Sequence, residues 1–118
     1  MQPMQCPMAF YRRNTEIIKI KLCQYTLSDG DTLHFTVKPK PDNDTTDSAA
    51  VIDKTWTFGT DCYNDDEGFT ILKLTADETN VDFGVYFYDI KIVTVGADAE
   101  QTLLTGPLTV MEAATLEV

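Results

Sequence analysis

The sequence predicts an all-β fold, an immunoglobulin-like (Ig-like) antiparallel β-sandwich of about seven short strands with one short helical turn near residues 76–80. Three observations support this prediction. Apolar and polar side chains alternate in several short segments, turn-forming residues separate these segments, and no segment shows the apolar period of a long helix. The 118 residues, 43% of them hydrophobic, suffice for a single domain with one core.

The first two predicted strands are EIIKIKLC, residues 16–23, and TLHFTVK, residues 32–38. Apolar side chains occupy positions 18, 20 and 22 of the first strand and positions 33, 35 and 37 of the second, so each strand has one apolar face. The tetrad SDGD lies between them, and its Gly30 can adopt a positive φ at low cost. The two strands are therefore predicted to form a hairpin.

Five further strands are predicted after the polar loop at residues 39–47. They are AVIDKTWTF (50–58), FTILKL (69–74), VYFYDIKIV (85–93), EQTLLT (100–105) and PLTVME (107–112). In VYFYDIKIV the even positions, from Tyr86 to Ile92, are predicted to point inward. Gly106 and Pro107 are predicted to separate the last two strands, because proline cannot donate to a sheet ladder.

The segment TADE, residues 75–78, fits a capping box. The Thr75 hydroxyl can accept from the N–H three residues ahead, and Glu78 can accept from the N–H of Thr75. Asn80 and Gly84 end the resulting helical turn. We expect this turn to cross from one sheet to the other.

The charge of the chain excludes several partners. Nine basic and nineteen acidic residues give a net charge of −10, which repels nucleic acid and anionic membrane surfaces. Arg12, Arg13, Lys19 and Lys21 are interpreted as solvated side chains. The N-terminal residues lack the basic and apolar regions of a secretory signal peptide, so we predict bacterial cytoplasm before any assembly, and no apolar segment approaches the ~20 residues of a membrane span.

No residues indicate catalysis. His34 is the single histidine and is predicted to be an exposed structural side chain, and nucleophile and phosphate-binding motifs are absent from the sequence. The cysteines Cys6, Cys23 and Cys62 have no spacing for zinc or for a disulfide framework, and Trp56 and Cys62 are too close in sequence for the Cys–Trp–Cys pattern of Ig domains. The chain is predicted to be a non-enzyme without cofactors.

Two binding sites were weighed against simpler interpretations. Acidic residues in two loops could hold calcium but lack the EF-hand pattern, so solvated loops are predicted and no metal site. These residues are Asp42, Asp44 and Asp47 in one loop and Asp61, Asp65, Asp66 and Glu67 in the other. Trp56 and Tyr63, with Phe58, could form a surface that stacks on sugars, although aromatics of a small domain usually belong to the core.

Four segments together resemble a family of small phage and prophage β-sandwich proteins, similar to the N-terminal domain of siphophage baseplate upper proteins. The segments are GDTLHFTVK (30–38), AAVIDKT (49–55), ILKLTADETNVDFGVYFYDIKI (71–92) and TLLTGPLTV (102–110). The shared motifs are a strand that ends at Leu74 and Thr75, a turn closed by Thr79, and the series Tyr86, Phe87, Tyr88, Asp89 and Ile90. The segment before residue 30 is longer than this resemblance leads us to expect.

The resemblance implies a structural component of a tail, neck or baseplate, with other phage structural proteins as partners and the virion as its location. It carries over no catalytic residues, and it leaves a homo-oligomer open. Residues 1–14 are predicted to be an N-terminal arm, either disordered or ordered on a neighbour, and residues 15–118 a single domain. The alternative function is a module that binds carbohydrate or another host-surface group. Asp89 is predicted to be exposed or bound to a loop.

Overall fold

The computed structural model describes residues 4–22, 26–39, 50–95 and 99–112, which form two packed β-sheets. The strands in these ranges are β1 (Met4–Gln5), β2 (Met8–Tyr11), β3 (Glu16–Ile20), β4 (Thr32–Lys38), β5 (Ile52–Thr57), β6 (Tyr63–Asn64), β7 (Thr70–Leu74), β8 (Gly84–Thr94) and β9 (Ala99–Met111). The predicted all-β, Ig-like sandwich is confirmed. In the part that the structure describes, no helix is long and apolar enough to span a membrane.

Six strands form the large sheet. Their order is β1–β9–β8–β4–β5, and β2 also pairs with β9, so β1 and β2 make one interrupted edge. Along β9, β8, β4 and β5 each strand is antiparallel to its neighbour, whereas β1 and β2 run parallel to β9. The small sheet has the order β3–β7–β6 and is antiparallel. The orders β9–β8–β4–β5 and β3–β7–β6 match a variable-type Ig domain without strand C″, but the N-terminal strands β1 and β2 pair with β9 of the large sheet and not with β3.

The core lies between the two sheets and is built by the inward residues of each strand. Leu33, Phe35 and Val37 of β4 are fully buried, as the alternation in the sequence predicted. Phe35 is central, because its ring contacts those of Trp56 and Tyr88 at centroid distances of 6.2 and 5.8 Å. From the small sheet, the inward side chains are Ile18, Ile20, Thr70, Leu72 and Leu74.

The prediction of a hairpin between residues 16–23 and 32–38 is wrong, because β3 and β4 belong to different sheets. The turn itself is present, and Gly30 has a φ of 95°. Asp31 is buried beside it: Oδ2 accepts from the Ser28 N–H at 2.9 Å and Oδ1 from the Val95 N–H at 3.0 Å. This carboxylate ties the turn to the end of β8 and so directs the chain into the large sheet.

The last two predicted strands are one continuous strand, β9. Gly106 does not end it but allows a close approach, since a Cβ atom at this position would lie 2.6 Å from the Cys6 carbonyl oxygen. Pro107 pairs with Phe87 of β8 on one side. On the other side it faces the interruption between β1 and β2, where no regular ladder needs the N–H that proline lacks. A register shift near Ile90 marks the one irregularity between β8 and β9.

The N-terminal segment and residues 59–68 contribute three strands that the sequence did not predict. Residues 1–14 were predicted to be an arm outside a domain that starts at residue 15, but β1 and β2 pair with β9, and Phe10 is buried in the core. The Cys6 N–H donates to the Thr105 carbonyl at 2.9 Å, so the pairing with β9 continues into the segment that joins β1 to β2. The polar segment at residues 59–68 contains β6.

The turn between β7 and β8 crosses from the small sheet to the large one, as predicted. Both hydrogen bonds of the expected capping box are present. The Thr75 N–H donates to Glu78 Oε1 at 2.8 Å, and the Glu78 N–H donates to Thr75 Oγ1 at 3.2 Å. The Thr79 N–H donates to the Thr75 carbonyl at 3.1 Å, so the predicted helical turn is a single hydrogen-bonded turn.

Candidate functional site

The outer face of the large sheet is the candidate functional site. It consists of the side chains of this sheet that point away from the small sheet, and we call it the outer face. Along β8 it contains Val85, Phe87, Asp89, Lys91 and Val93, which alternate with the core residues. The neighbouring strands add Thr32, His34, Thr36 and Lys38 from β4, Asp53, Thr55 and Thr57 from β5, Glu100, Thr102, Thr105, Pro107, Thr109 and Met111 from β9, and Ala9 and Tyr11 from β2.

One end of the outer face is apolar. The side chains of Phe83, Val85 and Phe87 are 67%, 63% and 40% exposed, and we call these three residues the apolar stripe. Pro107 lies beside Phe87, and half-exposed Tyr11 and Met111 lie opposite each other on β2 and β9. Scattered apolar residues are normal on a protein surface, but a contiguous group of large ones is typical of an interface.

A tyrosine corner fixes the start of β8 and with it the apolar stripe. The Tyr86 hydroxyl donates to the Asp82 carbonyl oxygen at 2.7 Å. This is the bond that a tyrosine at the start of strand F makes to the preceding turn in Ig-like domains. Because Tyr86 points inward, Val85 and Phe87 on either side of it must point outward.

Arg12 holds three segments together next to the apolar stripe. Its guanidinium nitrogens lie 3.4 Å from Asp82 Oδ1, 3.2 Å from Glu112 Oε2 and 3.3 Å from Asn80 Oδ1. These contacts connect the end of β2 with the end of β9 and with the turn before β8. The sequence interpretation of Arg12 as a solvated side chain is therefore wrong.

The other end of the outer face is polar and slightly concave. A shallow depression of about 240 Å³ is lined by His34, Thr36, Asp89, Lys91, Val93 and Glu100. His34 Nδ1 lies 3.3 Å from Thr55 Oγ1, within the same sheet. Asp89, left open by the sequence, belongs to this half-exposed surface between Thr36 and Thr105. The depression offers charged and hydrogen-bonding groups, and among the residues that the structure describes no cysteine or serine side chain lines it.

The sugar-stacking surface that the sequence left as an alternative does not form from these aromatics. Trp56 is only 2% exposed, and its Nε1–H donates to the Lys73 carbonyl oxygen at 3.1 Å across the core. Tyr63 is 66% exposed on β6 of the small sheet. Because Trp56 is part of the core, it cannot stack on a ligand together with Tyr63. The sequence could not show this, since the alternation in IDKTWT permits either face to be buried.

The acidic residues at 61–67 act as local hydrogen-bond acceptors. Asp65 Oδ1 accepts from the N–H groups of Phe69 and Glu67, both at 2.9 Å, and Oδ2 lies 3.7 Å from Lys19 Nζ. The Phe69 N–H, with smaller effects from Glu67 and Lys19, lowers the pKa of Asp65 below its ordinary value. Asp61 Oδ2 accepts from the Thr57 N–H at 3.1 Å. The other acidic segment, with Asp42, Asp44 and Asp47, lies outside the described residues.

Groups that could ligate a metal or act as a nucleophile are placed apart. Within the described ranges, no three His, Cys, Asp or Glu side chains are grouped to hold a metal ion. Cys62 is buried, and burial, with a smaller effect of Asp61, raises its pKa to about 11, so it is a neutral thiol at pH 7. Cys6 is half-buried at the edge of the large sheet, and Cys23 lies outside the described residues.

The predicted motif residues have structural roles in the turn before β8 and in the core. Thr75 and Glu78 cap the turn, and the Thr79 hydroxyl, which is buried, donates to the Asn14 carbonyl oxygen at 2.7 Å. Tyr88 is buried in the core, and its hydroxyl donates to the Cys6 carbonyl oxygen at 2.5 Å. These residues position β8, and the predicted inward set from Tyr86 to Ile92 left Val85 and Phe87 on the outward side, where the structure shows them exposed.

Comparisons with known proteins give structural neighbours but no family. Searches against protein families and curated proteins found no match. The first Ig-like domain of human CD48 antigen is similar over 100% of this chain and 91% of that chain, at 12% identity and a TM-score of 0.40. An extracellular domain of the voltage-gated sodium channel β4 subunit covers 96% of both chains at 8% identity and a TM-score of 0.33. These similarities concern the arrangement of strands and do not bear on function.

Proposed function

We propose that this chain is a non-enzymatic structural module of a phage or prophage particle, a tail, neck or baseplate component that assembles through its outer face. The supporting observation is the apolar stripe of Phe83, Val85 and Phe87 on a domain with a net charge of −10. The phage assignment itself follows the motif resemblance of residues 30–115, and the stripe supports the part of the proposal that concerns protein contacts.

Burial of the apolar stripe against another protein would stabilise an assembly. A fully buried valine or phenylalanine side chain contributes about 1.5–3 kcal/mol relative to an exposed one. Aromatic residues such as Phe87 are enriched at the buried centre of interfaces. The tyrosine corner and the Arg12 contacts hold the stripe on a rigid sheet, so little conformational entropy is lost when it binds.

The chemistry of the outer face favours contact over catalysis. The imidazole of His34 is within hydrogen-bond distance of Thr55 on the adjacent strand, and Cys62, a thiol with a raised pKa, lies in the core. A general base or nucleophile needs a partner and access to substrate in one place. This arrangement supports an assembly module.

The test is incorporation into particles. Phage particles induced from the source bacterium are purified and analysed by mass spectrometry for this chain, expressed as wild type or as Val85→Ser/Phe87→Ser. The matched control is Ile17→Ser, because Ile17 is 56% exposed on β3 of the small sheet. We expect wild type and control in the particles and at least a tenfold loss of the stripe variant, with all three folded by circular dichroism.

Two results would contradict the proposal in different ways. Particles that lack the wild-type chain would show that it is not a virion component. Particles that contain the stripe variant at the wild-type level would show that assembly uses another surface.

A further inference from the structure

The outward residues of β8 have a self-complementary order. From one end of the outer face to the other they are Val85, Phe87, Asp89, Lys91 and Val93, which places apolar residues on both sides of one acidic and one basic residue. Val95 follows at the end of β8 and is 61% exposed. With Val95 as its sixth member, reversal of this row exchanges Asp89 with Lys91, Phe87 with Val93 and Val85 with Val95. A row with this property can bind a copy of itself that runs in the opposite direction.

We propose that the outer face binds a second copy of this chain, face to face, about a two-fold axis that crosses β8 between Asp89 and Lys91. The proposal rests on the proposed function in that it names the partner of the same surface. In this arrangement Asp89 of one copy lies opposite Lys91 of the other, and Phe87 opposite Val93. A two-fold interface forms each of these contacts twice.

The neighbouring strands satisfy the same symmetry without opposing like charges. The two-fold axis runs across the strands, so β4 faces β4, β5 faces β5 and β9 faces β9. The register within the sheet then places Lys38 opposite Thr32, Asp53 opposite Thr55 and Pro107 opposite Glu100. Like charges that face each other destabilise an interface by several kcal/mol, so the absence of such pairs among these residues is a specific property of this register.

The charge balance of the outer face selects a second copy over other partners. Three of its residues are acidic, Asp53, Asp89 and Glu100, and two are basic, Lys38 and Lys91, so its net charge is −1 with His34 neutral. The whole chain has a net charge of −10. The outer face is therefore close to neutral, so two copies can bring these faces together with little net repulsion, whereas a strongly basic partner would be attracted to the more acidic remaining surface.

The size of the outer face suits a stable dimer. The five strands β2, β9, β8, β4 and β5 have 4, 13, 11, 7 and 6 residues, and at ~3.3 Å along and ~4.8 Å across the sheet per residue they cover about 650 Å². Standard interfaces bury about 800 Å² on each partner. Two sheets that pack in this way adopt strand directions within about 30° of each other, as aligned sandwiches do.

The experiment uses charge reversal and sedimentation equilibrium of the full chain. Wild type is expected to dimerise. Asp89→Lys places two lysines against each other at the axis, and Lys91→Asp places two aspartates there, so each single variant should dimerise at least tenfold more weakly. An equimolar mixture of the two variants should form a heterodimer, because every opposed pair then has opposite charge. The double variant Asp89→Lys/Lys91→Asp should dimerise like wild type.

Charge-matched controls separate the proposed interface from a general charge effect. The controls are Asp77→Lys and Lys73→Asp. Asp77 lies in the exposed turn after β7 and Lys73 on the exposed side of the small sheet, so both variants should leave dimerisation unchanged. A monomeric wild type at 100 µM, or single variants that dimerise like wild type, would overturn the proposal. Incorporation into particles together with a monomeric wild type would keep the proposed function and reject the second copy as partner.

Discussion

Replacement of Tyr88 with phenylalanine removes one hydroxyl group from the centre of the sandwich and keeps the ring. That hydroxyl donates to the Cys6 carbonyl oxygen at 2.5 Å and so links β8 to the interruption between β1 and β2. A typical hydrogen bond of this kind contributes about 1 kcal/mol net, so Tyr88→Phe should lower the free energy of unfolding by about 1 kcal/mol at pH 8.

The same hydroxyl makes the fold sensitive to alkaline pH. Burial, and then the contact with Cys6, raise the pKa of Tyr88 from 10.0 to about 12. The folded protein thus holds this proton more tightly than the unfolded chain, so its contribution is complete below pH 10 and is lost as the pH rises towards 12. For this difference in pKa, about 1.4 kcal/mol is lost at pH 11.

Urea unfolding of wild type and Tyr88→Phe at pH 8 and pH 11 measures this effect directly. Wild type should be more stable by about 1 kcal/mol at pH 8, and this advantage should disappear at pH 11. Cys62, whose pKa is also raised, weakens both proteins at pH 11 and cancels in the difference. Tyr63→Phe is the control, because Tyr63 is exposed. An equal difference between wild type and Tyr88→Phe at both pH values would refute the reasoning.

Three further predictions concern the turns and edges of the sandwich. Gly106→Ala should push Cys6, between β1 and β2, away from β9 and cost about 1–3 kcal/mol, seen as faster amide exchange at residues 5–11, whereas Thr109→Ala should not. Thr75→Ala should lower stability by about 1 kcal/mol through loss of the cap, with Asp77→Ala unchanged in the same thermal melts. Burial opposes the ionisation of Glu78, but Lys54 at 2.7 Å and Thr75 outweigh this effect and lower the pKa of Glu78 below 4.5. The contribution of Glu78 to the stability of the fold is therefore present above pH 4.5 and is lost as the pH falls. Glu78→Gln should flatten the acid limb of the stability curve, and an unchanged limb would contradict this.

The strands that bury one clear face could be predicted from the sequence, and so could the capped turn. Period-2 alternation placed Leu33, Phe35 and Val37 inward, and it gave the correct inward face of β8 from Tyr86 to Ile92. The capping box worked because both of its hydrogen bonds form within four residues of sequence. Local patterns of this kind do not depend on distant parts of the chain.

The remaining features depend on contacts between distant residues. Asp31 is buried because the N–H groups of Ser28 and Val95 meet there, and Val95 is far along the chain. The sequence predicts a strand break at Gly106, whereas in the structure a glycine is needed there because the Cys6 backbone lies so close. The sequence leaves Trp56 open as a surface residue, because it does not show that the indole N–H finds its partner, the Lys73 carbonyl, on the other sheet. The grouping of outward residues into one outer face was not predicted, because its members come from five strands.

Tyr88 occupies a position that carries a covalent link in antibody domains. It stands two residues after the corner tyrosine, where an antibody domain has the second cysteine of its inter-sheet disulfide. In this chain the same position carries a ring packed against Phe35 and one hydrogen bond to Cys6, which link β8 to β4 and to the N-terminal edge of the large sheet. The link therefore forms as the chain folds, without an oxidant or an isomerase, and a reducing environment cannot break it.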